Sequence, residues 1–148
     1  WGHMVYDLAT TITTEAWDAK YKPNMDWNHA WGAAPANLIP RRLVGVRPLE
    51  PGFAKILIQP QPGYLREFRA TVPTIRGPVN VDYHREVSGK RQLQIDIPAN
   101  TTAKVMLPVQ KDAEMSLIKT SRTPGSIQQV GEYIVLDPLR PGMHRIEY

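Results

Sequence analysis

From residue 54 onward the apolar residues of this chain fall at every second position in short segments, and that period limits what the chain can fold into. Eight segments follow one another: "KILIQP", "REFRATV", "PVNVDYH", "QLQIDIP", "AKVMLP", "MSLIK", "EYIVLD" and "MHRIEY". Proline, glycine, asparagine or serine turn residues separate them at intervals of roughly ten residues. Within "QLQIDIP", alternation places Leu93, Ile95 and Ile97 on one face and Gln92, Gln94 and Asp96 on the other. Short strands with no helical window between them predict an antiparallel β-sandwich over residues 54–148. The 14 prolines are about twice the usual share and favour such a body over a helical one.

Residues 1–53 have a different pattern. Val5, Leu8, Ala9, Ile12 and Ala16 recur at helical spacing, and Asp7, Thr11, Thr14 and Asp18 fall opposite them. This predicts a helix ending before Pro23, which disfavours helical geometry in Lys22. A second helix is expected from Asp26 or Asn28, both competent N-caps, through Val44. Pro35 and Pro40 would kink or break it. "GVRPLEPGF" then reads as an irregular connector. The sequence thus predicts an α+β chain, with helices in 1–53 and a sandwich in 54–148.

The helices raise a problem of surface. Trp1, Trp17, Trp27 and Trp31 each carry roughly 150–250 Å² that prefers burial. One small sandwich can cover the apolar faces of a helical hairpin only in part. The tryptophans form either a satellite core on the sandwich or part of a larger helical body, and the apolar area favours the larger body. A chain opening at Trp1 without methionine also reads as a fragment or processed product.

Composition narrows the function classes. Hydrophobic content of 42% and charged content of 22% are those of a globular protein. No apolar run approaches the ~18 residues of a membrane helix, so no membrane partner is expected. The net charge of +4 is spread over short pairs such as Arg41-Arg42 and Lys90-Arg91. A nucleic-acid binder would concentrate that charge on one face, so no nucleic-acid partner is expected. With no cysteine there are no disulfides or thiolate metal sites. His3, His29, His84 and His144 lack metal-ligand spacing, and no phosphate loop or nucleophile elbow is present. Neither a metal nor a cofactor is expected. "NTT" at Asn100 fits a glycosylation triplet, although a turn between strands is the plainer reading.

Two runs are irregular enough to be specific. "WNHAWGAAPANLIPRRLVGVRPLEPGF", residues 27–53, followed by "KILIQPQPG" and "VPTIRGPVNV", resembles the C-terminal part of bacterial α-L-rhamnosidases of glycoside hydrolase family 78. "WGHMVYDLATTITTEAWD" resembles the family's tryptophan-glycine segment and the helix after it. Beyond about residue 110 only the general look of a terminal sandwich is shared. The resemblance implies the last helices of an (α/α)6 barrel followed by the closing β-sandwich. It also implies inverting hydrolysis of terminal α-L-rhamnose, with a rhamnose-containing glycoside or polysaccharide and the rest of the barrel as partners. A bacterial location, periplasmic or cytoplasmic, goes with it.

Inverting hydrolysis needs two carboxyl groups roughly 6.5–9.5 Å apart, one protonating the leaving oxygen and one activating water. The resemblance places the general base in "TTEAWD", at Glu15, and the general acid upstream of this chain. By its residues alone Glu15 reads as an ordinary solvated glutamate near a helix end. On a helical wheel it lies about 80° from the centre of the apolar stripe, where neighbouring aromatics would partly desolvate it. Thr14 departs from the aromatic residue that many family members carry before the glutamate. His29 matches the histidine of the family's Trp-Asn-His motif, implied to bond rhamnose; otherwise it is a helix-start histidine satisfied by backbone. Trp1, Trp17, Trp27 and Trp31 are candidates for an apolar platform under the methyl-bearing face of the sugar, one or two of them at most reaching it, and Trp1 and Trp27 are the two singled out. The competing reading is a non-catalytic carbohydrate-binding or structural sandwich, but Tyr64, Phe68, Tyr83, Tyr133 and Tyr148 are scattered rather than paired on one strand.

Overall fold

A computed structural model describes residues 1–109 and 118–148. The chain divides into two compact units, Trp1–Leu38 and Ile39–Tyr148.

The second unit is a sandwich of two five-stranded sheets. Its strands are β1 (Val46–Pro48), β2 (Lys55–Ile58), β3 (Glu67–Val72), β4 (Val79–Arg85) and β5 (Arg91–Ile97), then β6 (Thr102–Pro108), β7 (Lys119–Thr120), β8 (Ile127–Val130), β9 (Tyr133–Leu139) and β10 (Gly142–Glu147). One sheet runs β1-β2-β6-β9-β8 and the other β3-β4-β5-β10-β7. The alternation read in β5 is realised. Leu93, Ile95 and Ile97 are buried between the sheets, with Val79, Val81 and Tyr83 from β4 and Ile146 from β10. Ile56 and Ile58 of β2, Val105 and Leu107 of β6, and Ile134 and Leu136 of β9 complete the core from the other sheet.

Two features depart from the sequence reading. Strand β2 pairs with β6 in parallel, Ile56 beside Ala103, so the sandwich is not wholly antiparallel. A parallel pair needs a crossover, and here the chain between them forms β3, β4 and β5 of the opposite sheet. The "GVRPLEPGF" connector contains β1, antiparallel to β2. At three residues it is too short to show a period, and as an edge strand it tolerates Pro48. Gly45, just before it, has φ +83° and lies against the Gln59 backbone, where a Cβ would come within 2.0 Å of the carbonyl oxygen. The "MSLIK" segment falls in part on residues 115–117, outside the described residues; β7 begins at its last residue.

In the first unit, the helix expected over Val5–Ala16 is absent. One helical turn, His3–Asp7, is followed by irregular chain, with Ala9 at φ +49°. The cause lies in "TTITT": five consecutive β-branched residues lose side-chain freedom in a helix, and threonine hydroxyls offer the backbone other partners. Thr10 donates to the Met4 carbonyl at 3.0 Å, Thr13 to that of His29 at 3.0 Å and Thr14 to that of Ala16 at 2.7 Å. The second expected helix breaks into single turns at Ala30–Ala33, α1 (Ala34–Leu38) and Ile39–Leu43. Pro35 and Pro40 each fall near the start of a turn, where a missing N–H leaves nothing unbonded.

The first unit hides little apolar surface. Met4 and Met25 are its buried hydrophobic residues. Trp1, Trp17, Trp27 and Trp31 are 41%, 51%, 57% and 65% exposed, and Val5, Tyr6, Leu8 and Ile12 are exposed as well. An apolar core does not hold this unit together; backbone and side-chain hydrogen bonds do most of it.

Candidate functional site

The site lies within the first unit, where two stretches of chain run side by side. The Glu15 N–H donates to the Asp26 carbonyl at 2.9 Å, and the His29 N–H donates to the Thr13 carbonyl at 2.9 Å. The indole of Trp31 donates to the Glu15 carbonyl at 2.9 Å, and that of Trp1 to the Gly32 carbonyl at 2.7 Å. Gly32 is needed for this closure: a Cβ there would lie 2.8 Å from the Thr14 carbonyl oxygen and from the Thr13 Cβ. Thr14 is buried by the same approach.

Both carboxylate oxygens of Glu15 are engaged. Oε1 accepts from the Lys22 ammonium in a short ion pair, and Oε2 accepts from the Asp26 N–H at 3.0 Å. The Glu15 side chain is only 7% exposed. The Lys22 hydrogen bond, followed by that of the Asp26 amide, holds the carboxyl below the ordinary carboxylate value, against the opposing effect of desolvation. Desolvation by aromatics, the influence expected from sequence, is therefore the smaller one. A carboxylate offers about four lone-pair sites, so two donors leave room for a water.

Beside Glu15 is a cleft of about 170 Å³, walled by Trp1, Trp17 and Trp31 and floored by Thr14 and Gly32. Trp1 and Trp17 meet edge to face at 4.8 Å between ring centroids. His29 stands near Asp26, Nδ1 to Oδ2 3.4 Å, and packs on Trp31 at 4.3 Å between centroids. Trp27 is exposed and does not line the cleft. Of the four residues singled out from sequence, the fold brings Trp1 into one cleft with Glu15. It links His29 to them through Asp26 and Trp31 and leaves Trp27 apart. Ligand atoms of Glu15, Asp26 and His29 lie within 4.8 Å of one another, yet the Lys22 ammonium already supplies a cation to Glu15.

The sequence reading missed Lys22 as the partner of Glu15, and among the four candidate tryptophans it singled out Trp27 rather than Trp17 and Trp31, which line the cleft. In a helix, residues 15 and 22 would be about 10 Å apart along the axis. Their contact exists because the chain here is looped.

The chain is thus a two-sheet sandwich preceded by an aromatic, hydrogen-bonded segment with one sequestered carboxylate. Residues 45–122 match the family of bacterial α-L-rhamnosidase C-terminal domains, and the chain belongs to that family. An α-L-rhamnosidase of Streptomyces avermitilis is 29% identical over 116 residues, covering 73% of this chain and 11% of its own. Three solved structures share the fold. The S. avermitilis α-L-rhamnosidase complexed with L-rhamnose has a TM-score of 0.81 and 24% identity, over 100% of this chain and 14% of that one. The α-L-rhamnosidase of Dictyoglumus thermophilum has 0.80 and 22%, over 97% of this chain and 17% of that one. That of Aspergillus terreus has 0.70 and 22%, over 97% and 15%. The chain therefore spans between 11% and 17% of the length of these relatives.

Proposed function

We propose that this chain is the C-terminal portion of an inverting α-L-rhamnosidase. In this reading the first unit is the end of an (α/α)6 catalytic barrel and the sandwich closes the protein. Glu15 supplies the general base, drawing a proton from the water that attacks the anomeric carbon. The general acid comes from barrel residues upstream. His29 offers sugar hydroxyls one donor and one acceptor when neutral. Trp1, with Trp27 placed by the remainder of the barrel, provides apolar surface for the methyl-bearing face of rhamnose.

The observation that carries this reading is the state of the first unit. It buries a carboxylate beside a tryptophan-walled cleft, yet exposes all four of its tryptophans. Single exposed apolar residues are ordinary, but a cluster this dense marks a surface made to be covered. The sandwich, by contrast, carries its own core.

The test is Glu15→Gln in the full-length enzyme. We expect substrate affinity to be kept and turnover on an aryl α-L-rhamnoside to fall by about 10²–10⁴-fold. Near-normal turnover would remove Glu15 from the mechanism. The alternative is a carbohydrate-binding or structural sandwich without catalytic role; hydrogen-exchange protection by rhamnose mapping to residues 60–148 rather than 13–32 would favour it.

A further inference from the structure

A second pocket, of about 220 Å³, opens at one end of the sandwich and is independent of the rhamnoside reading. Its polar groups come from three strands and a loop: Tyr83 and Arg85 from β4, Arg91 from β5, Tyr133 from β9, and Gln61 from the loop after β2. Pro62 and Gly63, in the loop after β2, lie along its side.

Two features of the wall lack explanation within the fold. Tyr83 is fully buried, and among the described residues its hydroxyl has no hydrogen-bond partner. The Nε–H of Arg91 is also buried and without a partner among the described residues, while the rest of its guanidinium meets the Tyr148 side chain, by a hydrogen bond and at 5.8 Å from the ring centre. Native structures rarely leave such groups unsatisfied, and those that remain call for a reason. Electrostatics points the same way. Arg85 and Arg91 carry permanent positive charge, and among the described residues no carboxylate lines the pocket and neither arginine is in an ion pair. The one side-chain hydrogen bond of Arg85 described here is a long one of 3.3 Å to the Tyr64 carbonyl.

The guanidinium fork matches a carboxylate in plane and spacing. The remaining wall is mostly apolar, with Pro62, Pro108 and the Tyr133 ring beside Gln61, and Tyr64 is fully exposed next to Gly63. Such surfaces suit the face of a sugar ring, and the volume admits one ring rather than a chain. We propose that this pocket binds a carboxylate-bearing sugar, a uronic acid residue. Its carboxylate would lie between Arg85 and Arg91, and its ring against Tyr133 and Pro62.

The test titrates the 148-residue chain with methyl galacturonoside, methyl galactoside and acetate, followed by NMR shifts and calorimetry. The uronide should perturb Arg85, Arg91 and Tyr133 and bind at least about tenfold more tightly than the galactoside or acetate. Arg85→Gln should weaken it at least about tenfold at an unchanged melting temperature. Tyr83→Phe, which keeps the buried ring, should weaken it a few-fold. Equal affinity for acetate, equal affinity for the galactoside, shifts mapping elsewhere, or no binding at about 10 mM uronide would each overturn the proposal.

Discussion

The Lys22 ammonium is ion-paired with the Glu15 carboxylate across a loop, and this contact sets the proton affinity of the one sequestered carboxylate in the first unit. Replacing Lys22 with Met removes the largest cause of the lowered value. If Glu15 is the base, the acid limb of kcat/KM for the full-length enzyme should move to higher pH in Lys22→Met. An unmoved limb would assign that ionisation to another group.

The same pair makes the first unit acid-sensitive. A carboxyl whose folded value is depressed stabilises the fold above its unfolded value, near 4.5, and this stabilisation is lost as pH falls through the folded value. Tryptophan fluorescence of the 148-residue chain should therefore change as the pH is lowered below about 4.5. In Glu15→Gln that component should disappear, and its persistence would place the acid sensitivity elsewhere.

Tyr148 gives the opposite sign. Burial, followed by proximity to Tyr83, pushes its phenol well above the ordinary value of 10.0, with Arg91 opposing. The raised value means that the stabilisation is fully present below the unfolded value and is lost as pH rises above it. Absorbance titration should show a tyrosine component that ionises late or only on unfolding, and Tyr148→Phe should remove the part due to Tyr148. Six uniform tyrosines would contradict the burial.

Gly45 tests the start of the sandwich. A side chain there meets both the positive φ and the Gln59 carbonyl. Gly45→Ala should cost at least about 2 kcal/mol and lower the Tm by on the order of 10 °C in calorimetry. Gly131, also at positive φ but with open space around it, should tolerate alanine better, at about 1 kcal/mol.

Strands whose residues alternate over six or seven positions were legible in the sequence, because one buried face against one wet face writes its period directly into residue choice. Strands β4, β5 and β6 are of this kind. Strand β8 was not, because Gln128, Gln129 and Val130 are all exposed and leave no alternation to read. The apolar stripe from Val5 to Ala16 misled for a physical reason. Spacing alone ignores the strain of successive β-branched residues, and Val5, Leu8 and Ile12 are exposed rather than gathered on one buried face. At the site, Glu15, Trp1 and His29 could be singled out by residue type and resemblance. Lys22 could not, since its role depends on a loop closure that no local spacing encodes.

The parallel pairing of β2 with β6 has a bearing on the order in which the sandwich assembles. Strands β3, β4 and β5 can zip together through short turns, and β2 can pair with β1 nearby, whereas the other edge of β2 must wait for a partner more than forty residues away. Closing so wide a span carries an entropic barrier that neighbouring hairpins do not face. A chain emerging from the ribosome would hold one edge of β2 unpaired until β6 is made, and this interval is when that edge is most open to chaperones or to misassociation.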